Sequence, residues 1–170
     1  VSASAGTSRQ IVARALSAED WAPFGWIPVI DSDPADGTHR LVFELGDPHL
    51  NIISHDVSEV MMDSSGMWCE KMYRHDTHTQ VLCPLDVPAV IAVAPAGRSL
   101  EDPAQADSIA AFILEPCQAV VMHRGTWHWG PFPVRDGAVN LLNVQSIAYL
   151  DDNTCVDLAA AGTAVSVVVG

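Results

Sequence analysis

The run from Val87 to Ala94 is nearly all apolar, with Pro88 near its start and Pro95 just past its end. Proline fixes φ and removes a backbone donor, so a short apolar segment bounded by it fits a buried strand better than a helix. The same punctuation recurs everywhere: eleven prolines and eleven glycines are spread along 170 residues, cutting the chain into short runs. Such spacing suits an all-β sandwich or barrel and disfavours a helical bundle. With 49% hydrophobic residues, the chain can bury one core and is short for two, so a single domain is expected.

Residues 1–10 are expected to be a flexible tail, residues 11–158 the domain, and residues 159–170 a C-terminal tail or edge strand ending in Val165-Ser166-Val167-Val168-Val169. Ser17 offers a helix cap with Asp20 three residues on, so a short helix should carry Trp21 into Ala22-Pro23-Phe24-Gly25, where the aromatics plug one end of the barrel. Asp31 to Thr38, with Pro34 and Gly37, is an exposed loop leading to a strand from Arg40 to Leu45. Further strands are expected over Leu50 to His55, Met67 to Tyr73, Ile109 to Glu115, Gln118 to His123 and Val139 to Ser146. In Met67 to Tyr73, alternation puts Met67, Cys69, Lys71 and Tyr73 on one face and Trp68, Glu70 and Met72 on the other, so neither face reads as core. Arg98 to Asp107 is polar and reads as a surface loop or a single helical turn.

Eight Lys and Arg residues stand against twenty-one Asp and Glu, a formal charge of -13 that disfavours binding to a phosphate backbone. Cys69, Cys83, Cys117 and Cys155 are widely spaced with no C-x-x-C, which leaves a zinc ribbon or a thioredoxin-type site without support and points to reduced, mostly buried thiols. No apolar run reaches the ~18 residues of a membrane span. A soluble, cytoplasmic protein with no membrane or nucleic-acid partner is the expectation.

Polar chemistry gathers in two places. Four of the seven histidines, His75, His78, His123 and His128, fall within Tyr73-Arg74-His75-Asp76-Thr77-His78-Thr79-Gln80 and Val121-Met122-His123-Arg124-Gly125-Thr126-Trp127-His128-Trp129. The second segment reads as a strand, a glycine turn and a strand restart, a hairpin that points His128 inward while Trp127 or Trp129 walls a cavity. In the first, His75 and Gln80 are five apart, so a plain strand would place them on opposite faces and only a bend around Asp76-Thr77 brings them together. Arg74 and Arg124 either grip an anionic small molecule or pair with nearby carboxylates. His78 alone reads as a loop residue, and His39, His49 and His55 as unrelated surface or strand positions.

These two segments resemble the two motifs of the cupin superfamily and, more narrowly, the ureidoglycolate lyases. His75 matches the second histidine of the first cupin motif, Gln80 its carboxylate position, and Gly125-Thr126-Trp127-His128 the end of the second motif. Arg74-His75 followed by Gln80, and His123-Arg124 followed by Trp127-His128, are similar to the ureidoglycolate lyase pattern. The likeness extends to Trp21-Ala22-Pro23-Phe24-Gly25, the Val90 to Pro95 strand and Ala111-Phe112-Ile113. Tyr73 stands where the family usually has glutamate, and Asn140 to Ser146 replaces a strand that tends to begin with aspartate and end in Asp-Arg.

The resemblance implies an all-β, cupin-like barrel or jelly roll with one or two short helices, pairing as a homodimer. It implies elimination of urea from ureidoglycolate to give glyoxylate, with His75, His128 and Gln80 catalytic and Arg74, Arg124, Trp127, His123 and Tyr73 binding a small anionic substrate. A divalent metal on His75, Gln80 and His128, or no cofactor, are both compatible with it, and His78, His123 or Tyr73 would complete a metal set. The alternatives are a repurposed cupin acting as isomerase, hydrolase or metal-dependent oxygenase on another small hydroxy or keto acid, or a non-catalytic binder.

Overall fold

The structure, a computed structural model, describes residues 9–37 and 44–170. Its strands are Arg9–Ala15 (β1), Gly25–Trp26 (β2), Pro48–Asp56 (β3), Met62–Asp63 (β4), Gly66–Cys69 (β5), Lys71–Arg74 (β6), Gln80–Pro84 (β7), Ala89–Ala94 (β8), Ala110–Leu114 (β9), Val120–Met122 (β10), Trp127–Pro133 (β11), Ala138–Ser146 (β12), Thr154–Asp157 (β13) and Val165–Val169 (β14). Three single-turn helices, Ala18–Trp21 (α1), Pro103–Ala106 (α2) and Leu158–Ala161 (α3), join them. Among the described residues no helix is long and apolar enough to cross a membrane.

The strands form one sheet in the order β13-β6-β11-β8-β9-β1-β14-β5-β4 and a second in the order β2-β10-β7-β12-β3. All six residues of β8 are buried because both of its faces are covered. Val90, Ala92 and Ala94 pack with Trp127, Trp129, Cys69, Met72 and Val167, in a core enclosed by the curl of the large sheet. Ile91 and Val93 face the other way, onto Leu82, Val120 and Met122 of the small sheet. A strand buried on both sides loses the apolar-polar alternation, which is why this run is apolar throughout. The result is an all-β barrel of two apposed sheets.

Trp21 closes the space between the sheets. Ser17 caps α1 by accepting from the backbone N–H of Asp20, which turns Trp21 inward. There its indole donates to the carbonyl of Val121 at 3.1 Å and its ring meets Phe24 and Phe112 at centroid distances of 5.8 and 5.4 Å. Gly25 follows because β2 lies so close to β10 that a Cβ there would stand 1.7 Å from the Val121 carbonyl oxygen.

Several expectations are corrected. Arg9 and Gln10, assigned to the tail, open β1, while residues 1–8 lie outside the described residues. The C-terminal run is not an edge strand: β14 lies between β1, to which it is parallel, and β5. Met67 to Tyr73 is two strands, broken at Glu70, whose carbonyl accepts from the N–H groups of Leu158 and Ala159. The inward phase flips at the break, from Met67 and Cys69 to Met72, which accounts for the mixed alternation. Residues 40–43 of the strand expected over Arg40 to Leu45, like His39, lie outside the described residues, and Glu44 and Leu45 are not in a strand. Cys117 and Cys155 are exposed, so only Cys69 and Cys83 of the four free thiols are buried.

Candidate active site

The two histidine segments meet at the mouth between the sheets. His123 to Thr126 is not a hairpin but a corner, because β10 pairs with β2 and β7 in the small sheet while β11 pairs with β6 and β8 in the large one. Gly125 takes φ 76° at the corner, and its N–H donates to the His75 carbonyl, tying one segment to the other. His128 then enters β11 opposite Tyr73 of β6, and its ring comes to 5.4 Å from that of His75.

His75 reaches this position through the bend at Asp76-Thr77. The Asp152 carboxylate accepts from the backbone N–H groups of Asp76 and Thr77, at 2.9 and 2.8 Å, and from the Thr77 hydroxyl. The Asp152 carbonyl accepts from His75 Nδ1–H, which leaves Nε2 of that ring to act on a ligand. Burial pushes the Asp152 carboxyl up, but the hydrogen bonds from Thr77 and Asp76, with His78 nearby, outweigh it and hold the group below its ordinary range.

The bend also buries His78, expected as a loop residue. Its ring stacks on His75 at 4.6 Å, and its Nδ1 lies 3.2 Å from Asp152 Oδ2 but off hydrogen-bond alignment, so both ring nitrogens are buried without a partner among the described residues. Two of the three imidazoles, His128 and His78, resist protonation here. Burial first, and the neighbouring His75 and His78, bring His128 down to about 4, although the Thr126 carbonyl it touches raises it. His78 is lowered by burial and by His75, against the opposing pull of Asp152.

A cavity of about 280 Å³ opens over this group, lined by His75, Gln80, His128, Tyr73, Trp129 and Gln145 together with His55, Tyr149 and Asn153. Gln80 is 7% exposed and donates its Nε2 to Asn143 at 2.8 Å, while its Oε1 has no donor among the described residues. An amide oxygen left so costs about 1–3 kcal/mol unless a ligand or water answers it.

The remaining expected site residues lie elsewhere. Arg74 packs over the Trp127 ring at 4.5 Å and pairs with Asp76, and Arg124 pairs with Glu44. Neither is among the residues that line this cavity, and each has a carboxylate partner nearby. Trp127 donates to the Arg98 carbonyl on the far side of β11, and Trp129 is the tryptophan that walls the cavity. His123 lies tilted against Trp26 with ring centroids 5.4 Å apart, beside the His75 and His128 group but outside the lining of this cavity. Sequence spacing missed His55, Tyr149, Asn153 and Asp152. An inward phase in β3 was the available signal for His55; for Asp152 there was none.

Among the histidine, cysteine and carboxylate donors of the described residues, ligand atoms of His75, His78 and Asp152 lie within 4.8 Å of one another, and Gln80, of the set expected from the sequence, gives its Nε2 to Asn143 and keeps its Oε1 free. Two imidazoles and a carboxylate suit a borderline divalent cation such as zinc, nickel, iron or manganese, and the unpartnered buried nitrogens of His78 fit one.

The ureidoglycolate lyase family model matches residues 8–162. No curated protein matches the chain. Two solved structures of Bacillus subtilis oxalate decarboxylase, one a mutant and one described for its Mn(II) centres, each match at a TM-score of 0.35 and 12% identity, over 63% of this chain and 27% of theirs. The chain thus spans about a quarter of the length of those proteins. A family match over nearly the whole chain is decisive: the chain belongs to the ureidoglycolate lyase family.

Proposed function

We propose that the protein eliminates urea from ureidoglycolate to leave glyoxylate, using His128 and His75 for the proton transfers. The observation that carries this is the pair itself: two imidazoles 5.4 Å apart on the wall of one small cavity. At about 280 Å³ that cavity is at the low end of ligand pockets, which run ~300–1,000 Å³, and suits a molecule of few atoms.

The reaction moves one proton from oxygen to nitrogen. A base takes the hydroxyl proton of the carbinolamide, the carbon-oxygen double bond forms, the carbon-nitrogen bond breaks, and an acid protonates the departing nitrogen. His128 is held neutral at ordinary pH, and its Nδ1 faces the Thr126 carbonyl, so Nε2 presents the free lone pair of a base. His75, anchored through Nδ1–H to the Asp152 carbonyl, delivers the proton to the urea nitrogen from Nε2. Gln80 orients the ureido group, and Tyr73 stands at the rim.

Among the described residues no arginine or lysine lines the cavity. A divalent ion held by His75, His78 and Asp152 would supply the positive charge that a substrate carboxylate calls for, and His75 would then serve as a ligand in place of its role as the acid. The reading also carries the homodimer, the cytoplasmic location and the place in purine breakdown that the family resemblance implies. Light scattering of the purified protein is expected to give twice the chain mass of 18.2 kDa, and a single-chain mass contradicts the dimer.

His128→Ala and His75→Ala are each expected to lower glyoxylate release by ~10²–10⁴-fold with the fold intact, since general acid-base groups contribute about that much. Normal turnover in either variant removes that residue from the mechanism.

The depressed His128 also fixes a pH dependence of stability. Its pKa is lowered in the folded state, from 6.5 to about 4, so the native state resists protonation more than the unfolded one. The stability from keeping it neutral is complete above 6.5 and is lost as pH falls toward 4, roughly 3 kcal/mol over the window at ~1.36 kcal/mol per unit. In chelator-treated protein, denaturant titrations from pH 7 to 4 should show this loss, and His128→Leu should lack that part of the slope. Parallel curves for the two proteins contradict it.

A further inference from the structure

Amide side chains form one wall of the cavity. Gln80 and Gln145 line it, and both are 7% exposed, while Asn143 between them is 1% exposed. β7 and β12 run antiparallel with Asn143 opposite Leu82 and Val144 opposite Val81, so the next step of the register sets Gln145 beside Gln80. Gln80 Nε2 donates to Asn143 Oδ1 at 2.8 Å, and Asn143 Nδ2 donates to Asn51 Oδ1 at 2.9 Å. This ladder consumes the Gln80 donor and fixes its carbonyl on the opposite side.

Gln80 Oε1 and Gln145 Oε1 are both buried and receive no hydrogen bond among the described residues. Among the described residues the cavity lining offers these two carbonyls no arginine or lysine. Two acceptors on neighbouring residues, without a donor among the described residues, match a ligand that brings two N–H groups. A ligand whose only donor is one hydroxyl would leave at least one of the two carbonyls buried and unanswered.

We propose that Gln145 determines specificity for the ureido group: its Oε1, beside that of Gln80, accepts hydrogen bonds from the substrate's ureido N–H groups. The inference rests on the lyase reading and adds the residue that selects ureido-bearing acids from other small hydroxy acids.

Calorimetry with two non-reacting probes tests it. N-carbamoylglycinate has the ureido group and carboxylate but no hydroxyl to eliminate from, and glycolate has carboxylate and hydroxyl but no ureido group. Gln145→Met keeps the length of the side chain and removes its acceptor. It is expected to weaken N-carbamoylglycinate by about tenfold or more and to leave glycolate within about twofold, the size expected for one lost hydrogen bond with a desolvated partner. Gln145→Asn, which withdraws the carbonyl by one methylene, should shift the same way and serves if the methionine variant does not fold. If wild type binds N-carbamoylglycinate and a folded variant binds it equally well, the role of Gln145 is overturned while the lyase reading stands. If wild type does not bind it at all, the ureido reading of the cavity fails and this inference fails with it.

Discussion

The grip of Asp152 on the bend at Asp76-Thr77 is the constraint on which the site depends. A regular strand would send His75 and Gln80 to opposite faces of the sheet. Instead the Asp152 carboxylate gathers the N–H groups of Asp76 and Thr77 and the Thr77 hydroxyl, and the carbonyl of the same residue takes the His75 ring. The bend therefore brings His75 and Gln80 into one cavity and stacks His78 beneath His75. Gly125 completes the arrangement by donating to the His75 carbonyl as the chain turns from one sheet to the other. Hydrogen bonds to the ionised form keep Asp152 charged in spite of its partial burial, so the clamp persists at acid pH beyond that of a free carboxylate.

What this clamp assembles is unfavourable for charge and suited to proton transfer. Burial and neighbouring imidazoles disfavour the cationic state at His78 and most of all at His128. A neutral imidazole with a free lone pair is what the hydroxyl proton of a carbinolamide requires. The same cavity has a wall of amides in which the Gln80 and Gln145 carbonyls have no donor among the described residues. Base and hydrogen-bond acceptors divide the cavity between reaction and recognition, within a chain whose family is defined by the same reaction.

Much of the fold was legible because it is written in local patterns. The apolar run of β8, the Ser17 cap and the aromatic plug behind it are dictated by neighbours in sequence, and each formed as expected. The need for a bend between His75 and Gln80 was also legible, since it follows from the two-residue period of a strand. Its cause was not: Asp152 lies 76 residues beyond Asp76 and belongs to no local pattern. The direction of the arginines was illegible for a related reason. Arg74 and Arg124 had both anion and carboxylate partners open to them, and only the sheet geometry puts Asp76 and Glu44 within reach while turning both side chains away from the cavity. Likewise, alternation alone could not choose between Trp127 and Trp129, because residues two apart on one strand share a face.

Asp152 belongs to neither of the two main apolar cores, so its substitution separates the site from the barrel that carries it. The most direct measurement is glyoxylate release from ureidoglycolate by Asp152→Ala, with circular dichroism and melting as controls for the fold. A fall in kcat of ~10² or more in a folded protein is predicted, because misplacing a catalytic group by about 1 Å costs on that order. Asp152→Asn, which retains one acceptor for the bend, should recover part of the loss. A folded Asp152→Ala protein that turns over at the wild-type rate would contradict the account.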